Sequence, residues 1–219
     1  MEPLRAGYRA ELAALEDDLL HAGSQTMDLL DAAVAGLADA RDAAAVRAGQ
    51  DVLTDRLERV RERGLLILAR QAPVATELRL VHAILTASQH VDRMGGLALK
   101  VAVTVGQVNP AEADEEIVTQ LWEMARRARR TAERALEAFA RRDTAAGREL
   151  HLLDEPLDRL QDGVFALLLA RGGDRLEWAL RMTIVARCLE RFGDHAVEVA
   201  EQVDLITPSR ESGPPPPAG

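Results

Sequence analysis

The chain has 219 residues, of which 27 are Lys or Arg and 36 are Asp or Glu, so its formal net charge is −9 at pH 7. This balance excludes naked nucleic acid as a natural partner, because binding phosphates along a strand requires a concentrated basic surface. Aromatic residues make up only 3% of the chain. Ala, Leu, Glu and Arg are abundant instead, so an all-α fold is predicted.

Nothing in the sequence predicts insertion into a membrane. The N-terminal residues lack the apolar stretch of a signal peptide, and the longest apolar runs are far below the ~20 residues that span a bilayer. Cys188 is the only cysteine, so no intramolecular disulfide is expected, which fits a reducing compartment. The sequence therefore predicts a soluble protein of the cytoplasm.

Apolar residues recur in steps of three and four along the first half of the chain, a spacing that predicts amphipathic helices. The first helix is expected from about residue 4 to residue 39. The second should begin near Asp42, a residue type that caps helices, and end before Pro73. The third should run from there to about Gly106.

The second half of the chain carries its own helix start signals. Asn109 as N-cap, followed by Pro110, predicts the start of the fourth helix, because such a side chain satisfies free N–H groups. Asp143 is expected to cap the fifth helix. Asp174 and Glu177 have the spacing of a capping box for the sixth.

The third and sixth predicted helices resemble copies of one another. Their apolar seams keep the same register when each residue number is raised by 98: Ile84, Val91 and Ala98 recur as Met182, Leu189 and Ala196. A duplicated three-helix unit is inferred, because three amphipathic helices can bury their stripes together. We predict two tandem three-helix bundles of six long antiparallel helices, at residues 1–108 and 109–206, and a disordered Pro-rich tail at 207–219.

Pairs of carboxylates one helical turn apart are the most distinctive polar feature. They are Asp51 with Asp55, Asp154 with Asp158, and Glu190 with Asp194. Like charges at this spacing repel by roughly 0.2–0.5 kcal/mol, so helix stability does not require them. A hard cation would bind such oxygens. The heptad phase places the pairs on the outer face, where acidic residues are also common for solubility alone, so both interpretations remain open.

No catalytic motif is present in the sequence. A glycine-rich phosphate loop after a strand, the Cys/His spacing of a zinc site and the Glu-x-x-His pairs of di-iron bundles are all missing. An arginine run at residues 126–134 is either a docking surface for an acidic partner or, more commonly, a solvated face with ion pairs. The residues by themselves therefore point to no particular catalytic chemistry.

Two segments resemble a known family. RQAPVATELR at residues 70–79 resembles the RQxPVAxDLR junction of PhoU proteins, and LERFGDHAVEVAEQV at residues 189–203 is similar to the LERIGDHAxNIAE segment of that family. With the duplicated Asp-x-x-x-Asp helices, the resemblance covers about residues 4–206. It implies two three-helix bundles side by side, commonly as a homodimer, without catalytic turnover.

The resemblance also implies a role. PhoU proteins link a phosphate ABC transporter to a membrane-bound sensor histidine kinase, and they repress the phosphate-starvation response when phosphate is plentiful. The chain would then be a cytoplasmic signalling adaptor that reaches the membrane only through these partners. The alternative is a metal-binding helical protein whose surface carboxylate clusters are the function itself.

PhoU proteins carry E(D)xxxD motifs that can bind metal clusters on the bundle surface. One such set is matched in full here, by Asp154, Asp158, Glu190 and Asp194. The other is matched only by Asp51, Asp55 and Asp92, because Gly96 stands where its last carboxylate would be. The first-half site is therefore expected to be weak or empty. Fe, Mn, Mg and Ca all accept carboxylate oxygens, so the sequence does not select the metal.

Overall fold

The computed structural model describes residues 2–38, 43–71, 75–171 and 173–207, although the side chains at 2–6, 71, 147–148, 151–156 and 174 lie outside the description. Over these ranges the chain forms six long helices: α1 (Glu2–Ala35), α2 (Ala44–Gln71), α3 (Thr76–Val105), α4 (Glu115–Arg141), α5 (Thr144–Arg171) and α6 (Leu176–Ile206). The all-α prediction is confirmed. None of the described helices is both long and apolar enough to cross a bilayer.

The helices pack in two groups of three. α1, α2 and α3 contact one another, as do α4, α5 and α6. The most extensive contact joins α3 to α6, the two helices whose seams repeat, and α1 also packs against α4. One hydrophobic cluster runs through all six helices. The two groups are therefore joined by a shared core and not only by a linker.

The core is mainly aliphatic, with two fully buried aromatic rings at Phe139 and Phe192. Cys188 is part of it, at 7% exposure. Burial raises the pKa of the Cys188 thiol, and this outweighs the opposite effect of nearby Lys100 and Arg191. Because a neutral buried thiol is a poor nucleophile, Cys188 behaves as a small apolar side chain.

The start of α4 differs from the predicted one. Asn109 opens a short 3₁₀ turn, Pro110–Glu112, and its Oδ1 atom accepts a backbone N–H of that turn at 3.1 Å. Ala113 is then extended, with φ −62° and ψ 136°, which interrupts the helical path. α4 begins at Glu115 and is capped by the side chain of Asp114. Asn109 therefore caps a helical turn as its residue type predicts, but this turn is separate from α4.

The turn between α4 and α5 is held by two polar side chains. Asp143 caps α5 as predicted, because its Oδ1 atom accepts the backbone N–H groups of Ala145 and Ala146, each at 3.1 Å. The preceding Arg142 has a left-handed backbone with φ 57°. Its guanidinium donates two hydrogen bonds of 2.6 Å to the carboxylate of Glu16 on α1. This bidentate pair ties the turn to the first bundle.

The predicted capping box of α6 is wrong. Gly173–Arg175 forms a 3₁₀ turn, and α6 begins at Leu176. The N-cap position is therefore Arg175, whose side chain makes no capping hydrogen bond. Asp174 lies one residue too early to cap this helix, and Glu177 is in its first turn. The expected caps and ends at Asp39, Asp42 and Pro73, and the tail from residue 208, lie outside the described residues.

Candidate functional site

The acidic residues of the first half lie on α2 and α3. Asp51 and Asp55 are exposed, whereas Leu53 and Leu57, on the opposite face of α2, are fully buried. The outward orientation predicted from the heptad phase is therefore observed for this pair. Asp92 on α3 is half-buried, and its Oδ1 atom accepts a hydrogen bond from Thr54 Oγ1 at 3.3 Å. Asp92 is thus engaged with a hydroxyl group of α2.

Gly96 lies one turn beyond Asp92 on the same helix. A Cβ atom built at Gly96 has nothing within 4 Å, so space for a carboxylate exists but no carboxylate is there. Across the described ranges, no three His, Cys, Asp or Glu side chains are grouped so that they could hold a metal ion. Asp51, Asp55 and Asp92 therefore form no such group in this structure, and the weak or empty first-half site expected from the sequence stays a prediction.

The acidic residues of the second half lie on α5 and α6. Glu190 and Asp194 are half-buried one turn apart on α6, and Asp158 is exposed on α5. The fourth member of the set is Asp154, whose side chain is among those that are not described. The metal site expected from these four residues therefore stays a prediction.

A histidine pair joins the two halves. His90 on α3 and His195 on α6 have their Nδ1 atoms 3.3 Å apart and their ring centroids 5.5 Å apart. One ring must donate and the other accept, so at least one imidazole is neutral. Burial lowers the pKa of His195, and the positive charges of His90, Arg191 and Arg93 act in the same direction. The sequence could not reveal this pair, because each histidine lies on a different repeat.

A groove of about 660 Å³ opens between α2, α3 and α6, beside the histidine pair. Its polar wall contains Arg61, Gln89, Asp92, Arg93, Arg191 and His195, and we call it the arginine groove. Asp51 lies outside it and lines a separate groove near the end of α3. Sequence reasoning missed the arginine groove, since its residues come from three separate helices.

Comparison with known proteins identifies the family. The family sequence model of the PhoU domain matches the chain twice, over residues 19–105 and over residues 121–203. The chain belongs to the PhoU family. The two matched ranges end within α3 and α6, respectively, so each PhoU domain closes with one of the two repeated helices.

Several PhoU proteins resemble the chain over nearly its whole length. The phosphate-specific transport system accessory protein PhoU homolog 1 of Mycobacterium leprae (strain TN) is 32% identical over 213 residues, which cover 91% of this chain and 92% of the relative. The PhoU homolog of Synechocystis is 26% identical, with 95% of each chain covered. These matches extend beyond a single domain.

Two crystal structures of PhoU proteins share the fold. PhoU from Pseudomonas aeruginosa matches with a TM-score of 0.85 at 27% identity, over 91% of this chain and 98% of that one. The phosphate transport system regulatory protein PhoU from Streptococcus pneumoniae matches with a TM-score of 0.83 at 20% identity, over 91% and 96% of the two chains. The PhoU resemblance seen in the sequence is confirmed.

Proposed function

We propose that this protein is a non-enzymatic accessory protein that regulates phosphate uptake. The observation that carries the proposal is the match over 91% of the chain to a phosphate-specific transport system accessory protein. A second relative with the same description, from Thermotoga maritima, covers 71% of the chain. A bundle without a catalytic motif regulates by binding one conformation of a partner better than another.

The partners we propose are subunits of a phosphate ABC transporter and a sensor histidine kinase. By binding both, the protein biases the kinase toward repression of the phosphate-starvation response while phosphate is plentiful. It acts as a cytoplasmic homodimer and meets the membrane only through these partners. The continuous core of the two bundles supports this role, because binding at one bundle can affect the other through a shared packed interior.

The proposal is tested by affinity purification from membrane extracts of the native host, grown with abundant and with scarce phosphate. Mass spectrometry should identify transporter subunits and a sensor kinase, with amounts that differ at least about fivefold between the two conditions. The same extracts passed over an unrelated helical bundle serve as the control. If neither partner is recovered and deletion of the gene leaves phosphate-responsive genes repressed in rich medium, the proposal is wrong.

We also propose that a bound metal ion is held by the second half of the chain. Asp154, Asp158, Glu190 and Asp194 would supply the oxygen ligands, and the ion would neutralise their charge and link α5 to α6. The first half is not proposed as a metal site, because Gly96 supplies no ligand where the second half has Asp194.

Metal depletion followed by addition of Mn²⁺ tests this assignment. A bound ion at 100 times its Kd should stabilise the fold by about 2.7 kcal/mol, which is read from thermal unfolding. Asp158→Asn with Asp194→Asn should abolish the stabilisation. The matched first-half variant, Asp51→Asn with Asp55→Asn, should retain it. If the Asp158/Asp194 variant kept the stabilisation and the Asp51/Asp55 variant lost it, the assignment to the second half would be contradicted. Partner recovery by the metal-free variant separates an adaptor from a protein whose function is metal binding.

A further inference from the structure

Positive charge is concentrated in the arginine groove. Arg61, Arg93 and Arg191 come from α2, α3 and α6, and Arg93 and Arg191 occupy equivalent positions of the repeat. Within the part of the chain that the structure describes, none of the three lies at salt-bridge distance from a carboxylate. Asp92 is the carboxylate of the groove wall, and its Oδ1 atom already accepts from Thr54. The groove therefore has an excess of guanidinium groups in a chain of net charge −9.

This arrangement differs from that of the arginine run on α4. Arg126 and Arg127 both bind Glu123, at 2.6 and 2.8 Å. Arg129 binds Asp31 at 3.0 Å. The run is therefore a solvated face with ion pairs, the more common of the two alternatives that the sequence left open. The guanidiniums of the arginine groove, unlike these three, are not paired with a carboxylate in the described part of the chain.

The two repeats differ in charge at this place. On α3, Gly96 stands where the corresponding position of α6 has Asp194. The first half thus lacks one carboxylate in the groove that Arg61, Arg93 and Arg191 line. Its absence makes this groove better suited to an anion than to a cation.

We propose that the arginine groove binds an anion that carries two or more phosphate groups. Its volume of about 660 Å³ is within the roughly 300–1,000 Å³ typical of small-molecule sites, and it is large for one phosphate. One guanidinium group can donate hydrogen bonds to two oxygens of a phosphate at the same time. The three arginines that line the groove come from three different helices, and tetrahedral phosphates present oxygens on all sides. This site is independent of the partners proposed above.

The test uses the full chain, freed of metal, in metal-free buffer at about 0.15 M salt, where exposed charges are screened beyond about 8 Å. Calorimetric titrations are made with tripolyphosphate, pyrophosphate, orthophosphate and citrate. We expect tripolyphosphate and pyrophosphate to bind more tightly than the other two. Tighter binding of orthophosphate or citrate, or no binding of either oligophosphate, would overturn the proposal.

Matched variants locate the site. Arg93→Gln and Arg191→Gln should each weaken binding of tripolyphosphate at least about tenfold, because each removes a charged hydrogen-bond donor. Gly96→Asp should weaken it similarly by adding a carboxylate to the groove wall. The controls are Arg126→Gln on the paired α4 surface and Gly96→Ala, which adds only a methyl group.

Both controls should bind tripolyphosphate with an affinity within about twofold of the unmodified chain, since neither removes a groove donor. Circular dichroism of every variant verifies that the helices are retained. Equal affinity of Arg93→Gln, Arg191→Gln and Arg126→Gln would show that binding occurs elsewhere, and would overturn the assignment to this groove.

Discussion

Replacing Phe192 by alanine is expected to lower the free energy of unfolding by about 3–5 kcal/mol. Phe192 is fully buried on α6, at the position that corresponds to Met94 on α3, and it is among the largest buried side chains of the described core. Truncation would remove its buried apolar surface and leave a cavity in a close-packed interior. Urea denaturation followed by circular dichroism measures the loss. Because the core is continuous through both bundles, we expect one cooperative transition.

Leu180→Ala is the control for Phe192→Ala. It truncates a large apolar residue on the same helix, but Leu180 is 58% exposed. Its effect should remain within about 0.5 kcal/mol, as for most surface substitutions. Equal losses in the two variants, or separate transitions for the two halves, would contradict the shared core described here.

Gly95→Ala should be less stable than Gly96→Ala by about 1–3 kcal/mol, although the two glycines are adjacent on α3. A Cβ at Gly95 would overlap Gln50 Oε1 and Leu53 Cδ2 of α2, whereas a Cβ at Gly96 meets nothing within 4 Å. Alanine favours the helix over glycine by roughly 1 kcal/mol at both positions, so this gain cancels in the difference. The remaining difference in stability between the two variants therefore reports how closely α2 approaches α3 at Gly95.

Guanidinium denaturation of both variants checks this expectation. Gly96→Ala should be more stable than the unmodified chain by up to about 1 kcal/mol, because it removes the backbone entropy cost of an exposed helical glycine. If Gly95→Ala were equally stable, Gln50 and Leu53 would have to move freely, and α2 would not be held tightly against α3.

Helix boundaries were predictable to the extent that they depend on neighbouring residues. The cap at Asp143 was recognised because a side chain and the N–H groups it binds lie within three residues. The start at Asn109 was misassigned because the extended backbone of Ala113 separates a short turn from α4. The capping box predicted at Asp174 was wrong for a related reason, since a 3₁₀ turn occupies Gly173–Arg175. Short turns before a helix use the same residue types as helix caps.

The candidate sites were predictable only in part. The outward orientation of Asp51 and Asp55 follows from helical periodicity, which the sequence displays directly. The engagement of Asp92 with Thr54 does not, because these residues meet across two helices. The metal set in the second half remains a prediction, as the side chain of Asp154 is not described. The arginine groove was not anticipated at all.

The sequence by itself determined the helical fold, the internal repeat and the PhoU family. These properties can be inferred from hydrophobic periodicity and from motifs whose residues lie close together along the chain. Only the tertiary structure decided that His90 meets His195 and that Arg61, Arg93 and Arg191 share one groove. Those groups lie on separate helices, and the packing of α3 against α6 brings them together. Contacts between residues about a hundred positions apart depend on how whole bundles pack, which no local pattern encodes.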